Sequence, residues 1–205
     1  MKQKKDKIIK VILILSLLGF LTSLYLIKNH YADPEAGALC DFGETVSCSL
    51  VNTSTYSELF NVPVALLGAI WFFFLFIIAK GYDKKKPELA QLMLAWCSLG
   101  MLFVVYMIIA EIILKALCPF CTIVHILTII VFALSLKIAD IKNFSSGLKK
   151  TTPWIFGIII VSLIPFIIFN FTQGEKENYD EFAKCITEKG VNMYGSFRCG
   201  ICAKT

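Results

Sequence analysis

The sequence predicts an all-α integral membrane protein with five membrane-spanning helices. The chain has 205 residues, of which 57% are hydrophobic and only 17% are charged, and its mean hydropathy is +0.73. Soluble domains carry about 45–50% apolar and about 25% charged residues, so a water-soluble globule is excluded. The 17 Phe and the long runs of Ile, Leu and Val exclude a disordered chain as well.

Five apolar windows have the length of about 20 residues that a helix needs to cross a hydrocarbon core of roughly 30 Å. They are Ile8–Ile27, Val62–Ala79, Leu89–Leu114, Pro119–Ile138 and Pro153–Phe171. The first follows a lysine-rich start, as in a signal peptide, but its apolar run exceeds the ~7–15 residues of such a peptide and no small-residue cleavage pattern follows. We therefore expect it to be a retained membrane anchor.

The lysines between these spans predict the orientation of the chain. Thirteen of the 20 Lys and Arg residues lie before the first span, between the second and third, and between the fourth and fifth. Short cytoplasmic segments carry such an excess, so these segments and the N-terminus are predicted to be cytoplasmic. Residues 28–61, 115–119 and 172–205 are then extracytoplasmic, which predicts a multi-pass protein of the plasma (inner) membrane. The lysines form separate blocks rather than one patch, so the net charge of +5 does not indicate nucleic-acid binding.

Seven of the eight cysteines fall on the predicted extracytoplasmic side, where disulfides persist. They are Cys40, Cys48, Cys118, Cys121, Cys185, Cys199 and Cys202. Such cysteines either form structural disulfides or take part in redox chemistry. Metal binding is less favoured because no histidines accompany these cysteines, and no metal ligand is predicted. Cys97 lies within the third span and is expected to be a small packing residue.

The segment Cys118-Pro-Phe-Cys121 is the most informative. Proline is favoured at the first position of a helix, so both sulfurs are predicted at a helix N-terminus, where backbone N–H groups stabilise a thiolate. Cys121 lies deeper and should face a lipid-soluble acceptor. Cys40 and Cys48 enclose a polar loop with a glycine and form a candidate mobile dithiol that could exchange with the fixed pair. The alternative for each pair is a structural disulfide.

The chain resembles the vitamin K epoxide reductase family, in its prokaryotic form with a fused thioredoxin-like domain. The resemblance rests on Ala38-Leu-Cys-Asp-Phe-Gly, Val46-Ser-Cys-Ser-Leu-Val-Asn, Pro63-Val-Ala-Leu-Leu-Gly and Cys118-Pro-Phe-Cys-Thr, in that order. It implies a four-helix bundle around a quinone pocket, followed by a fifth span. It also implies that Cys40 and Cys48 form a loop shuttle, that Cys48 attacks Cys118, and that Cys121 lies beside the quinone.

The resemblance implies three domains: a four-helix transmembrane domain at 1–145, the fifth helix and linker at 146–173, and the N-terminal fragment of a thioredoxin-like domain at 174–205. In the last segment, Cys199-Gly-Ile-Cys202 resembles the active site of the appended domain and would exchange with Cys40. Arg198 stands where the family usually has Trp, and a complete thioredoxin-like fold needs roughly 100 residues, so this domain is expected to be incomplete. Cys185 receives no role.

Further candidate residues surround the expected pocket. His125 lies four residues after Cys121, on the same helix face, and is either a pocket residue or a histidine satisfied by a neighbouring helix. Residues 49–61 would form a short lid, with Ser54 as a loop-orienting hydroxyl or a solvated serine. Asn61 is either a partner of a quinone carbonyl or a helix cap.

Two ionisable residues outside this set are not expected to act in the reaction. Glu111 is expected to form an ion pair with Lys115, with a proton-handling role as the alternative. His30 is expected to be solvated.

The predicted function is that of a quinone-dependent thiol oxidoreductase. It would take electrons from a thioredoxin-like or DsbA-like protein, pass them through Cys40/Cys48 to Cys118/Cys121, and deliver them to ubiquinone or menaquinone, in support of extracytoplasmic disulfide formation. The alternative with the same chemistry is a DsbB-type quinone-linked oxidase, but that type carries its C-x-x-C pair before its widely spaced pair, the reverse of the order here. The alternative from another class is a non-catalytic membrane transport or assembly protein with structural outer disulfides.

Overall fold

The computed structural model describes residues 2–31, 39–43, 45–82, 88–140 and 144–172. Helices account for most of this part of the chain. They are α1 (Lys2–His30), α2 (Cys48–Asn52), α3 (Val64–Gly81), α4 (Glu88–Leu114), α5 (Pro119–Ile138), α6 (Phe144–Lys150) and α7 (Thr152–Thr172), with a 3₁₀ turn at Thr55–Ser57 and two short strands, β1 (Glu58–Leu59) and β2 (Val62–Pro63).

Four of these helices are long and apolar enough to cross a membrane. They are α1 from Lys5 onward, α3, α4 and α5, and α7 adds a shorter apolar stretch at Thr152–Ile164. The predicted all-α membrane fold is confirmed, with four of the five predicted spans, and the fifth stays a prediction. The helix bounds lie within about six residues of the predicted ones. The protein is therefore a multi-pass membrane protein.

The four long helices form a bundle in which α1 and α4 each contact both α3 and α5. Gly19 of α1 permits one close approach, because a Cβ there would lie 2.3 Å from a ring carbon of Phe72 in α3. Small residues at such crossings let the backbones of membrane helices pack tightly. Cys97 is fully buried in this core, as expected for a packing residue.

Residues 48–63 lie over one end of the bundle, and we call them the lid. They include α2, which contacts α1, α4 and α5, and the antiparallel pair β1–β2, in which Leu59 pairs with Val62. The two residues between these strands, Phe60 and Asn61, have φ values of 53° and 63°. Positive φ at both central positions is typical of a type I′ hairpin turn, in which asparagine is favoured.

Candidate functional site: two cysteine pairs beside an apolar cavity

The first cysteine pair joins the loop after α1 to the start of α2. Cys40 and Cys48 form a disulfide, with Cα atoms 5.7 Å apart. The Asp41 carboxylate fixes the surrounding loop, because its Oδ1 accepts from the Ser47 hydroxyl (2.8 Å) and from the backbone N–H of Ser49 (3.0 Å). These bonds hold Cys48 at the first turn of α2.

The second pair lies at the N-terminus of α5, as the sequence predicts. Cys118 is the N-cap residue, Pro119 begins the helix, and the Sγ of Cys118 accepts from the backbone N–H of Cys121 at 3.1 Å. The two cysteines form a disulfide with Cα atoms 5.2 Å apart. The helix N-terminus thus supplies an N–H donor to the sulfur of Cys118, which stabilises negative charge there when the disulfide opens.

A backbone bridge holds the two pairs in register. The N–H of Leu117 donates to the carbonyl of Thr45 (2.9 Å), and the carbonyl of Leu117 accepts from the N–H of Ser47 (3.1 Å). Cys48 directly follows Ser47, and Cys118 directly follows Leu117. The bridge therefore aligns the chain just before one cysteine of each pair.

All four cysteines belong to one buried hydrophobic cluster. Its buried members are Leu26, Cys40, Cys48, Val51, Met107, Ala116, Cys118 and Cys121. None of the four cysteines is more than 5% exposed. The two disulfides thus lie in one cluster, and both are shielded from solvent.

A cavity of about 420 Å³ extends from the cysteines into the bundle. This volume lies in the range of small-molecule sites, which is about 300–1,000 Å³. Its lining is mostly apolar, with a few polar residues contributed by α1, the lid, α5 and α7. The polar and sulfur-bearing residues among the lining are Ser23, Asn52, Ser57, Met107, Cys121, His125, Thr128 and Ser162.

Two tryptophans give one wall of the cavity its shape. The indole N–H of Trp71 donates to the carbonyl of Trp96, and that of Trp96 donates to the carbonyl of Trp71, both at 3.0 Å. Trp71 packs directly on Gly100, where a Cβ would lie 2.5 Å from an indole carbon. Both indole N–H groups are satisfied within the protein, so this wall offers an apolar surface.

The lid contributes Asn52, which the sequence does not single out. Asn52 lines the cavity, is 5% exposed, and donates from its side-chain amide to the carbonyl of Leu26 at 2.6 Å. The backbone carbonyl oxygen of Asn52 lies 2.6 Å from the Nδ1 of His30. The C-terminal end of α1 therefore fixes the position of Asn52 at the mouth of the cavity.

The expectation that His30 is solvated is wrong. Its side chain is only 5% exposed, and its Nε2 lies 3.2 Å from a carboxylate oxygen of Glu58. The two ring nitrogens face two different partners, the backbone carbonyl of Asn52 and this carboxylate. Burial and the nearby Glu58 carboxylate raise the pKa of the adjacent Tyr31. His30 thus fastens the lid to the end of α1.

The structure places the two predicted lid residues away from the cavity lining. Ser54 is buried and its hydroxyl donates to the carbonyl of Val51 at 2.8 Å, so it is not a solvated serine. Asn61 is exposed in the hairpin turn, and the N-cap position of α3 is taken by Pro63. Of the predicted pocket residues, only Cys121 and His125 line the cavity.

Glu111 does not form the expected ion pair with Lys115 in the part of the chain that the structure describes. Its Oε1 instead accepts from the backbone N–H of Cys118 at 3.3 Å. The sequence does not reveal this contact because Glu111 lies in the last turn of α4, whereas Cys118 is the N-cap residue of the next helix, α5. Lys115 between them has a φ of 50°, which turns the chain sharply enough to bring them together.

Cys185 and the predicted redox residues Cys199 and Cys202 lie outside the described residues, as does the predicted domain at 174–205. A comparison with protein families bears on the rest. The model of the Vitamin K epoxide reductase family matches residues 10–136, more than half of the chain, and this range contains both disulfides. The chain therefore belongs to the vitamin K epoxide reductase family and is a membrane oxidoreductase with two disulfide-forming cysteine pairs.

Proposed function

We propose that this protein carries electrons from a thioredoxin-like or DsbA-like protein outside the cytoplasm to a quinone in the membrane. The observation that supports this most directly is the buried cluster. It holds Cys40, Cys48, Cys118 and Cys121 together, and one of them, Cys121, also lines the cavity. Electrons could therefore enter at the loop pair and leave at the cavity.

Each step of the relay exchanges one disulfide for another. A dithiol partner reduces the Cys40–Cys48 disulfide and becomes a disulfide itself. The Cys48 thiolate then attacks the Sγ of Cys118, and Cys121 leaves as a thiolate. Cys40 next attacks Cys48, which restores the loop disulfide and frees Cys118. The result is a reduced pair at the start of α5.

The cavity fits a quinone by its chemistry. Its apolar walls suit a lipid-soluble ring, and its few polar groups can orient ring carbonyls. A quinone bound there accepts two electrons and two protons from the reduced pair and becomes a hydroquinone. His125 lies one helical turn beyond Cys121 and lines the same cavity, so it could donate a hydrogen bond to a carbonyl. Asn52, whose position is fixed by Leu26 and His30, is the lid residue that could play the same part as His125.

The proposed orientation places both pairs on the extracytoplasmic side of the inner membrane. The lysine-rich segments support this orientation, because they lie at the opposite ends of the spanning helices. Protein disulfides form in that compartment, and a quinone pool can drain the electrons that their formation releases. The tail pair Cys199 and Cys202 would take part as an attached dithiol that exchanges with Cys40.

The test is quinone-dependent oxidation of a reduced thioredoxin-like protein by the purified full chain. Cys121→Ala should abolish quinone reduction, because no cysteine then remains at the cavity. Cys97→Ala is the matched control, since Cys97 is a buried free cysteine that belongs to neither pair. It should retain the parental rate.

Two results would contradict the proposal. Quinone reduction at the parental rate by Cys121→Ala would show that this sulfur does not deliver the electrons. Disulfides that resist mild dithiol treatment, in a protein without oxidase activity, would instead favour structural staples in a non-catalytic membrane protein.

A further inference from the structure

Three potential metal ligands converge where α4 gives way to α5. A carboxylate oxygen of Glu111 and the Sγ atoms of Cys118 and Cys121 all lie within 4.8 Å of one another. Both cysteines are buried and Glu111 is half-buried. In the part of the chain that the structure describes, no other three His, Cys, Asp or Glu side chains come so close together.

Backbone hydrogen bonds already organise these three groups. The N–H of Cys118 donates to the Glu111 carboxylate (3.3 Å), and the N–H of Cys121 donates to the Sγ of Cys118 (3.1 Å). Hydrogen bonds to metal-binding groups orient them and lower the cost of gathering their charge. The site is thus partly built before any cation arrives.

Two thiolates and one carboxylate form a donor set that suits Zn²⁺ or Cd²⁺. Zinc binds sulfur at about 2.3 Å, so two cysteine ligands in a tetrahedral site lie about 3.8 Å apart. The disulfide must therefore open first. A dithiol can supply the two electrons and two protons that convert it to two thiols; a phosphine supplies the two electrons, and water supplies the protons and the oxygen of the phosphine oxide. Binding of a divalent cation then releases the two protons.

We propose that the reduced pair Cys118 and Cys121, together with Glu111, binds one thiophilic divalent cation such as Zn²⁺. The fourth position is open to water. The third ligand comes from the preceding helix, so this site does not require a histidine ligand. Cation binding depends only on reduction of this pair and not on the proposed electron transfer.

The binding has one consequence that rests on the proposed function. A cation that holds both thiolates prevents them from forming a disulfide with each other. Zn²⁺ should therefore stop the relay in its reduced state, and a chelator should restore it. The loop pair Cys40 and Cys48 would remain free to exchange.

The experiment uses the full chain in detergent, with Cys40, Cys48 and the tail cysteines Cys185, Cys199 and Cys202 replaced by Ser. The protein is reduced with a phosphine, which competes little for the metal, and titrated with Cd²⁺ alone while ultraviolet absorption of the cadmium–thiolate bond is recorded. One Cd²⁺ per chain is expected, displaceable by Zn²⁺. The oxidised protein should show no signal.

Variants separate the three ligands. Cys118→Ser or Cys121→Ser should abolish the signal, and Glu111→Gln should weaken binding by about tenfold or more, whereas Glu111→Asp should retain binding within a few-fold. Equal affinity in Glu111→Gln, or a signal from the oxidised protein, would overturn the three-ligand site. A protein that binds Cd²⁺ as expected but never reduces a quinone would contradict the proposed function and leave the metal site standing.

Discussion

Replacement of His30 should loosen the lid. His30 is one point at which α1 holds the lid, because its Nδ1 lies 2.6 Å from the backbone carbonyl of Asn52 and its Nε2 lies 3.2 Å from the carboxylate of Glu58. His30→Ala removes both contacts and leaves the lid attached by α2 and the cysteine cluster.

The expected size of the effect follows from the burial of each contact. A hydrogen bond contributes about 0.5–1.5 kcal/mol net. The Glu58 side chain is 29% exposed, so its contact with His30 adds about 0.5 kcal/mol. The sum is about 1–2 kcal/mol. Since every 1.4 kcal/mol is a factor of ten, the open lid should become about 5- to 30-fold more populated.

Hydrogen exchange measured by mass spectrometry on residues 50–60 reports this opening. Two other substitutions test the two contacts one at a time, because an asparagine amide can reach the position of Nδ1 and a glutamine amide can reach that of Nε2. His30→Asn should therefore preserve more protection than His30→Gln. Exchange in α4 serves as the internal control. Unchanged exchange in His30→Ala, or less protection in His30→Asn than in His30→Gln, would refute this account of the lid.

Two further perturbations test the cysteine cluster and the cavity. With Cys40 and Cys121 replaced by Ala, mild oxidation should join Cys48 to Cys118, which peptide mapping under non-reducing conditions detects. The variant that keeps Cys48 and Cys121 instead should cross-link less, and the reverse order would contradict the proposed attack. Gly100→Ala should displace the indole on this glycine, lower stability by about 1–3 kcal/mol and raise the KM for quinone. The control is Gly157→Ala in α7, where an added Cβ meets no atom within 4 Å. It should leave both thermal unfolding and the KM for quinone unchanged.

The helices could be predicted from the sequence because the membrane imposes a single length and polarity on every span. α5 illustrates this best: its start at Pro119 and its end at Ile138 both match the prediction. The position of Cys118 as N-cap followed from the proline next to it, which is a local signal. Such features depend on neighbouring residues, and the sequence displays them directly.

The contacts that build the site are mostly not local. His30 bonds to Asn52 and Glu58, which lie 22 and 28 residues further along, and nothing near His30 in the sequence indicates them. The asparagine predicted for the pocket was Asn61, whereas the asparagine that lines the cavity is Asn52. Asn61 serves the hairpin turn because it tolerates a positive φ, while Asn52 faces the cavity because the buried α2 carries it there.

The short attachment of the loop to α5 supports the shuttle role that we propose for the loop pair. Two backbone hydrogen bonds join Leu117 to Thr45 and Ser47, and each contributes about 0.5–1.5 kcal/mol net. Breaking both costs about 1–3 kcal/mol, and exposing the buried Cys40 and Cys48 side chains adds to this cost, so the open loop is a minor state of the kind that partners can select. A longer sheet would hold Cys40 and Cys48 in the cluster, out of reach of any outside dithiol. With no bridge at all, Cys48 would lose its alignment with Cys118. A short bridge therefore suits both needs of the proposed relay: the loop pair is aligned with the fixed pair when the loop is closed, and it can become exposed for reduction.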